Sequence, residues 1–208
     1  MSRYVDNPDW YRVVYNLAAL RANRAAKGDS TERHGRDLEY AGVAASRLIK
    51  EGTRQARHVR LRLGRTNRAR RRFFVHTVVP SARLLLVGVR CLSGEDKGGA
   101  AMETIDDVLG DRDLAARVHY NAACLLSTLL DVAGKEPDEI AKRALDELQR
   151  FVWKADPGEA ALMGPWAAKD PTLAPLRERY RREFDAIFDF AQSRAPTKSR
   201  PSSRRWTI

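Results

Sequence analysis

Apolar residues along this chain recur at three- and four-residue intervals, the spacing of helices with one buried face. Asn7-Pro8-Asp9 reads as a helix start, with a capping side chain, a proline at the first helical position and an acid in the first turn. Trp10, Val13, Val14, Leu17, Ala18 and Leu20 follow at helical spacing, and the helix is expected to reach about Ala26, before Gly28-Asp29-Ser30. A second helix from about Arg36 would bury Leu38, Ala41, Ala44, Ala45 and Leu48, its alanines suiting close helix approach. Thr53 to Asn67 is polar and Arg-rich, with Val59, Leu61 and Leu63 alternating briefly, and reads as a helical extension or a turn near Gly64. Phe73 to Leu92 is the most apolar stretch, interrupted by Pro80. Its polar residues His76, Arg83 and Arg90 fall seven apart, in one narrow helical stripe. The length would span a bilayer. The two arginines within it instead favour a helix buried in a bundle, ahead of an interfacial helix or a true span.

Gly94 to Gly99 is a loop and the clearest boundary. It divides an N-terminal region (1–94) from a C-terminal one (95–194). A short helix over Met102–Leu109 is followed by one from about Arg112 to Val132. Pro137-Asp138-Glu139 opens the next, whose stripe is Ile140, Ala141, Ala144, Leu145, Leu148, Phe151 and Val152. Asp156-Pro157 and Asp170-Pro171 repeat the cap-plus-proline opening. A last helix, about Leu173 to Gln192, would face inward with Leu176, Tyr180, Phe184, Ile187 and Phe188. Residues 195–208, rich in Pro, Ser, Lys and Arg, are expected to be a disordered basic tail. No stretch alternates as strands joined by hairpin turns do, so the fold class is all-α.

One segment occurs twice. Arg12-Val13-Val14-Tyr15-Asn16-Leu17-Ala18-Ala19-Leu20 matches Arg117-Val118-His119-Tyr120-Asn121-Ala122-Ala123-Cys124-Leu125 at six of nine positions, 105 residues apart. Glu39, Ala41, Ala44 and Leu48 then recur as Glu139, Ala141, Ala144 and Leu148, so the repeated unit is a pair of helices. The pattern Tyr-Asn-x-Ala on one helix, then Ala-x3-Leu-x2-Phe with Asp156-Pro157 closing the second, resembles a tetratricopeptide repeat. The resemblance is clearest over residues 112–184, with a degenerate copy at 8–51, and the consensus Trp and Gly are missing from both. It implies helix pairs forming a short solenoid or a compact bundle, with large residues filling the gaps between pairs. The family's use of groove-lining Asn and basic residues to hold a peptide carboxylate carries over to Asn16, Asn121 and Arg117.

The positive charge is concentrated in one segment. The net charge is +11, and from Gly52 to Gly94 there are eleven Arg and no Asp, Glu or Lys. Elsewhere the remaining Lys and Arg equal the 27 acidic residues. Nine of those arginines (Arg54, Arg57, Arg60, Arg62, Arg65, Arg68, Arg70, Arg71 and Arg72) form a candidate surface for phosphates, anionic headgroups or an acidic protein. The N-terminus has no apolar core of a secretion signal, and the expected location is cytoplasmic. Cys91 and Cys124 sit among apolar residues without metal-ligand spacing, and the four His form no zinc motif. His119, on the repeated helix, reads as a core or groove residue. Asp106-Asp107 and Asp138-Glu139 are paired acids, the second suited to a helix N-terminus. With no nucleophile, base and orienter assembled, neither an enzyme nor a cofactor or metal site is expected.

The expected function is therefore a non-catalytic adaptor or scaffold. Its groove would bind a peptide segment or partner helix through Arg12, Tyr15, Asn16, Arg117, Tyr120 and Asn121, where each Arg and Asn stand one helical turn apart. The alternatives are phosphate-backbone binding by nucleic acid along Arg54–Arg72, and interfacial membrane association through 54–92.

Overall fold

Both echoed segments fold as antiparallel helix pairs, because each carries an alanine-lined face that a second helix can approach closely. The structure, a computed structural model, describes residues 8–26, 31–60, 65–95, 99–130 and 137–194, and among them all regular structure is helical. Helix α1 (Pro8–Ala26) packs on α2 (Thr31–Arg60), and α6 (Ala116–Leu129) on α7 (Pro137–Lys154). The echoed positions are buried in both copies: Ala18 with Ala123, Ala41 with Ala141, Ala44 with Ala144, Leu48 with Leu148.

The pairs are separated by α4 (Val79–Leu92), which continues α3 (Arg65–Phe73) through a wider π-helical turn at Phe74–Val78. Its Val89 joins the core of the first pair, with Ala18, Leu38 and Ala41. On another side its Leu84, Val87 and Cys91 join the core of the second, with Val118, Leu126 and Leu148. That division explains why Phe73–Leu92 is apolar around most of its circumference. Among the described residues, Arg68–Leu92 is the stretch long and apolar enough to cross a membrane, and 44% of its most apolar window is buried inside the protein. Two residues of the polar stripe meet acids, His76 Nδ1 lying 3.1 Å from Asp111 and Arg83 donating to Asp107 at 2.6 Å, and Arg90 is exposed. A Cβ on Gly52 would stand 2.9 Å from the stiff Val79 side chain, so α2 needs glycine there to approach α4. At the other end, Gly94 takes φ +75. Its amide bonds the Cys91 carbonyl and the Glu95 amide bonds that of Arg90, the paired bonds of a Schellman stop.

Helix α5 (Gly99–Leu109) packs on α4 and adds Ala101, Ile105 and Val108 to the second core. Beyond α7 come α8 (Pro157–Ala167), a 3-10 turn at Pro171–Leu173, α9 (Ala174–Arg179) and α10 (Arg181–Ser193). As expected, Asp156 accepts from the Gly158 and Glu159 amides, and Asp170 from that of Thr172.

Several boundaries differ from expectation. The second helix starts at Thr31 rather than near Arg36 and runs on to Arg60, absorbing part of the Arg-rich stretch. Helix α6 begins at Ala116, not near Arg112. Asp111 accepts from the Asp113 amide and Ala115 is extended, so these residues turn the chain before the helix can start. The final helix is broken at Tyr180 (φ −129, ψ 46), which redirects it as α10.

Pro80 does not interrupt its helix either. Without an N–H it cannot bond the His76 carbonyl four residues back, and Val79 instead bonds Phe74 five back in the π turn. The His76 carbonyl accepts the Ala115 amide at 2.9 Å, tying the residue that caps α6 to this helix. Pro165 does the same inside α8: the Ala161 carbonyl is left for Gln192 Nε2, at 2.6 Å. Each proline thus converts a local bond into a tertiary one. The expected tail at 195–208 lies outside the described residues.

Candidate functional site

The space between α1, α4 and α6, closed at one end by α8 and the Asp170–Thr172 turn, is a cleft of about 1220 Å³. It exceeds the roughly 300–1,000 Å³ of ordinary small-molecule sites. Its walls include Leu84, Leu85, Leu92 and Leu125, and its polar end includes Ser81, Arg117, Lys169 and Asp170. Tyr15 and Asn16 line it from the first copy, and Arg117, Tyr120 and Asn121 from the second. Five of the six residues singled out for partner binding therefore border one space. The side chain of the sixth, Arg12, lies outside the described ones.

Their partners differ. Asn121 donates to the Ser81 hydroxyl at 3.0 Å, which fixes the amide against α4 rather than against loop backbone. Arg117, half exposed, reaches Glu159 at 3.4 Å, a long contact of the kind that contributes little. Tyr120 is buried with its ring 5.4 Å from Phe151 and 5.5 Å from the half-exposed Trp166. Its hydroxyl donates to Asp170 at 3.0 Å. The second Asp170 oxygen accepts from the Thr172 amide and hydroxyl, at 2.9 and 2.6 Å. Asp170 was legible only as a helix cap; its second role, holding Tyr120 from fifty residues away, has no local sequence signal.

Electrostatics quiet this end of the cleft. Burial raises the Cys124 thiol far above its ordinary pKa, and the Asp170 carboxylate 3.9 Å away raises it further, so the thiol stays protonated at neutral pH. Burial likewise raises the phenols of Tyr15 and Tyr120, with Cys124 and Asp170 adding to both and Arg117 opposing at Tyr15. His119 is not a cleft residue. It is buried behind α6, its Nδ1 2.6 Å from Glu147, whose other oxygen accepts from Arg150 at 2.8 Å.

The arginines of the basic segment lie elsewhere. Arg54 and Arg57 are exposed on α2, and Arg68, Arg71 and Arg72 on α3, while Arg70 is half-buried. Arg54 is engaged by Glu51, its Nε 3.0 Å from both oxygens, which holds that carboxyl below its ordinary pKa. The side chains of Arg60 and Arg65 lie outside the described ones, as does Arg62 entirely. Among the described residues, no group of three or more His, Cys, Asp or Glu is placed to hold a metal ion. Compared with family models, with curated protein sequences and with solved structures, the chain matches none.

Proposed function

We propose that this chain is a non-catalytic binding protein of tetratricopeptide-like build whose cleft receives a peptide segment or partner helix. The observation that carries the reading is the convergence of Tyr15-Asn16 and Tyr120-Asn121, the two copies of one motif, on a single cleft. Leu84, Leu85, Leu92 and Leu125 offer the apolar wall that an anchoring side chain needs. Arg117 and Lys169, with the amides of Asn16 and Asn121, offer donors for main-chain carbonyls or a carboxylate. The protonated Cys124 and the removal of His119 from the cleft support binding over chemistry. The cytoplasmic location belongs to the same proposal.

The test is capture of partners from the native host's lysate, with and without nuclease, by the intact chain and by Arg117→Ala and Asn121→Ala. One discrete protein that survives nuclease and is lost with either variant supports the cleft. Capture indifferent to both substitutions counts against it. The second reading, phosphate binding, is favoured by the exposure of Arg54, Arg57, Arg68, Arg71 and Arg72. It predicts recovery of nucleic acid alone, with steep loss as salt rises.

A further inference from the structure

The internal repeat shows what is missing from one face of the molecule. In the second copy Val118, Ala122 and Ile140 are buried. They share a core with α5, whose Ala101, Ile105 and Val108 point inward. The α5 residue Asp106 pairs with Arg143 of α7. The corresponding residues of the first copy are Val13, Leu17, Tyr40 and Val43. Val13 and Val43 are 63% and 64% exposed, and Leu17 and Tyr40 are exposed as well. The two helices present them side by side, since Arg21 of α1 lies 4.0 Å over the Tyr40 ring of α2. Where the first pair is open, the equivalent positions of the second are buried in a core that the acidic α5, packed on α4, shares and flanks through Asp106.

Charge says what would cover the first. Along α2 the exposed apolar positions run directly into exposed Arg47, Lys50, Arg54 and Arg57, spaced three and four residues apart in one stripe. Glu39 is the exposed acid among α2's described side chains, and half-buried Glu51 within the stripe engages Arg54, which leaves the basic residues in excess. We propose that the outer α1–α2 face is a docking surface for an acidic amphipathic helix of a partner protein, with the chemistry that α5 shows beside the second pair, apolar residues in the shared core and an acid on a base. Apolar residues of the partner helix would meet Val13, Leu17, Tyr40 and Val43, and its acids the Arg47–Arg57 stripe. A nucleic-acid backbone would use the stripe but leave the apolar half uncovered. This surface lies on a different side of the first pair from α4, which faces the cleft, so the inference stands apart from the cleft reading.

The experiment titrates the full chain into a fluorescent, stapled helix of ~18 residues, five turns, with Leu at i, i+3, i+4 and i+7 spacing and Glu elsewhere. Controls are the same peptide with Lys for Glu and a DNA duplex. Anisotropy should report saturable binding of the acidic peptide and none of the basic one. Val43→Glu and the pair Arg47→Glu/Lys50→Glu should each weaken it by about tenfold or more. These positions are exposed, and circular dichroism checks that each variant keeps its helices. The proposal is overturned if the acidic peptide does not bind, or if these variants leave its affinity unchanged. It is overturned equally if the basic peptide binds as well, or if the duplex displaces the acidic peptide from the intact chain.

Discussion

Replacing His119 by Leu removes the partner of a carboxylate that has almost no access to water. His119 and Glu147 side chains are only 3% and 5% exposed, and their contact is 2.6 Å. Once His119 is gone, Glu147 keeps Arg150, a half-exposed and flexible partner, on its other oxygen. Breaking a buried pair from one side costs about 3–5 kcal/mol, because the remaining charge is left short of compensation. For a chain of this size that corresponds to a fall in Tm on the order of 10 °C. Glu147→Leu leaves instead a buried imidazole without its Nδ1 partner, its Nε2 already buried without a hydrogen bond among the described residues, and a smaller loss of about 1–3 kcal/mol is expected. In the double variant both polar groups are gone, two leucines pack between α6 and α7, and Arg150 turns to water. Its stability should return to within about 2 kcal/mol of the parent. Urea unfolding at neutral pH, with unchanged m-values, measures the cycle. The reasoning fails if the single losses add in the double variant, or if His119→Leu costs less than Glu147→Leu.

Three further outcomes follow from the same contacts. Pro80→Ala restores an amide that competes with Ala115 for the His76 carbonyl, so the Ala115 amide should exchange faster with solvent and stability should fall by about 1 kcal/mol; unchanged exchange at 115 would refute this. Asp170→Ala strips the Tyr120 hydroxyl and the Thr172 amide of their acceptor and should cost about 2–3 kcal/mol by urea unfolding, whereas a loss below about 0.5 kcal/mol would contradict the geometry. Because Cys124, Tyr15 and Tyr120 have raised native pKa values, the folded state holds protons that the unfolded state releases. That stability is fully present below about pH 8.5, where the unfolded thiol begins to ionise, and is lost as pH rises through the phenol range. Stability measured from pH 7 to 11 should therefore decline, and the early part of the decline should be absent in Cys124→Ser.

The helical periodicity carried most of the architecture. Shared positions such as Ala41 and Ala141 are buried in both helix pairs, where small side chains face the partner helix. Tyr15 and Asn16 could be matched to Tyr120 and Asn121 from spacing alone, and they border one cleft. What the pattern lacked was everything set by distant partners. Pro80 reads locally as a break, yet the chain passes it because Ala115 takes the carbonyl it frees. Asp170 reads as a cap and gives no hint that its other oxygen accepts from Tyr120. Val13 and Val118 look equivalent in sequence, yet Val13 is exposed and Val118 is buried in the core it shares with residues of α4, α5 and α7.

The cleft is tested most directly by a photo-crosslinking amino acid at Asn16, an exposed residue on its wall, with Asp189 on α10 as the remote comparison. Irradiated in host lysate, the Asn16 probe should give an adduct with one protein, mapped to one short segment, and the Asp189 probe should not. No adduct at Asn16, an adduct with nucleic acid, or the same protein trapped equally from both positions would contradict a partner segment seated between the two copies.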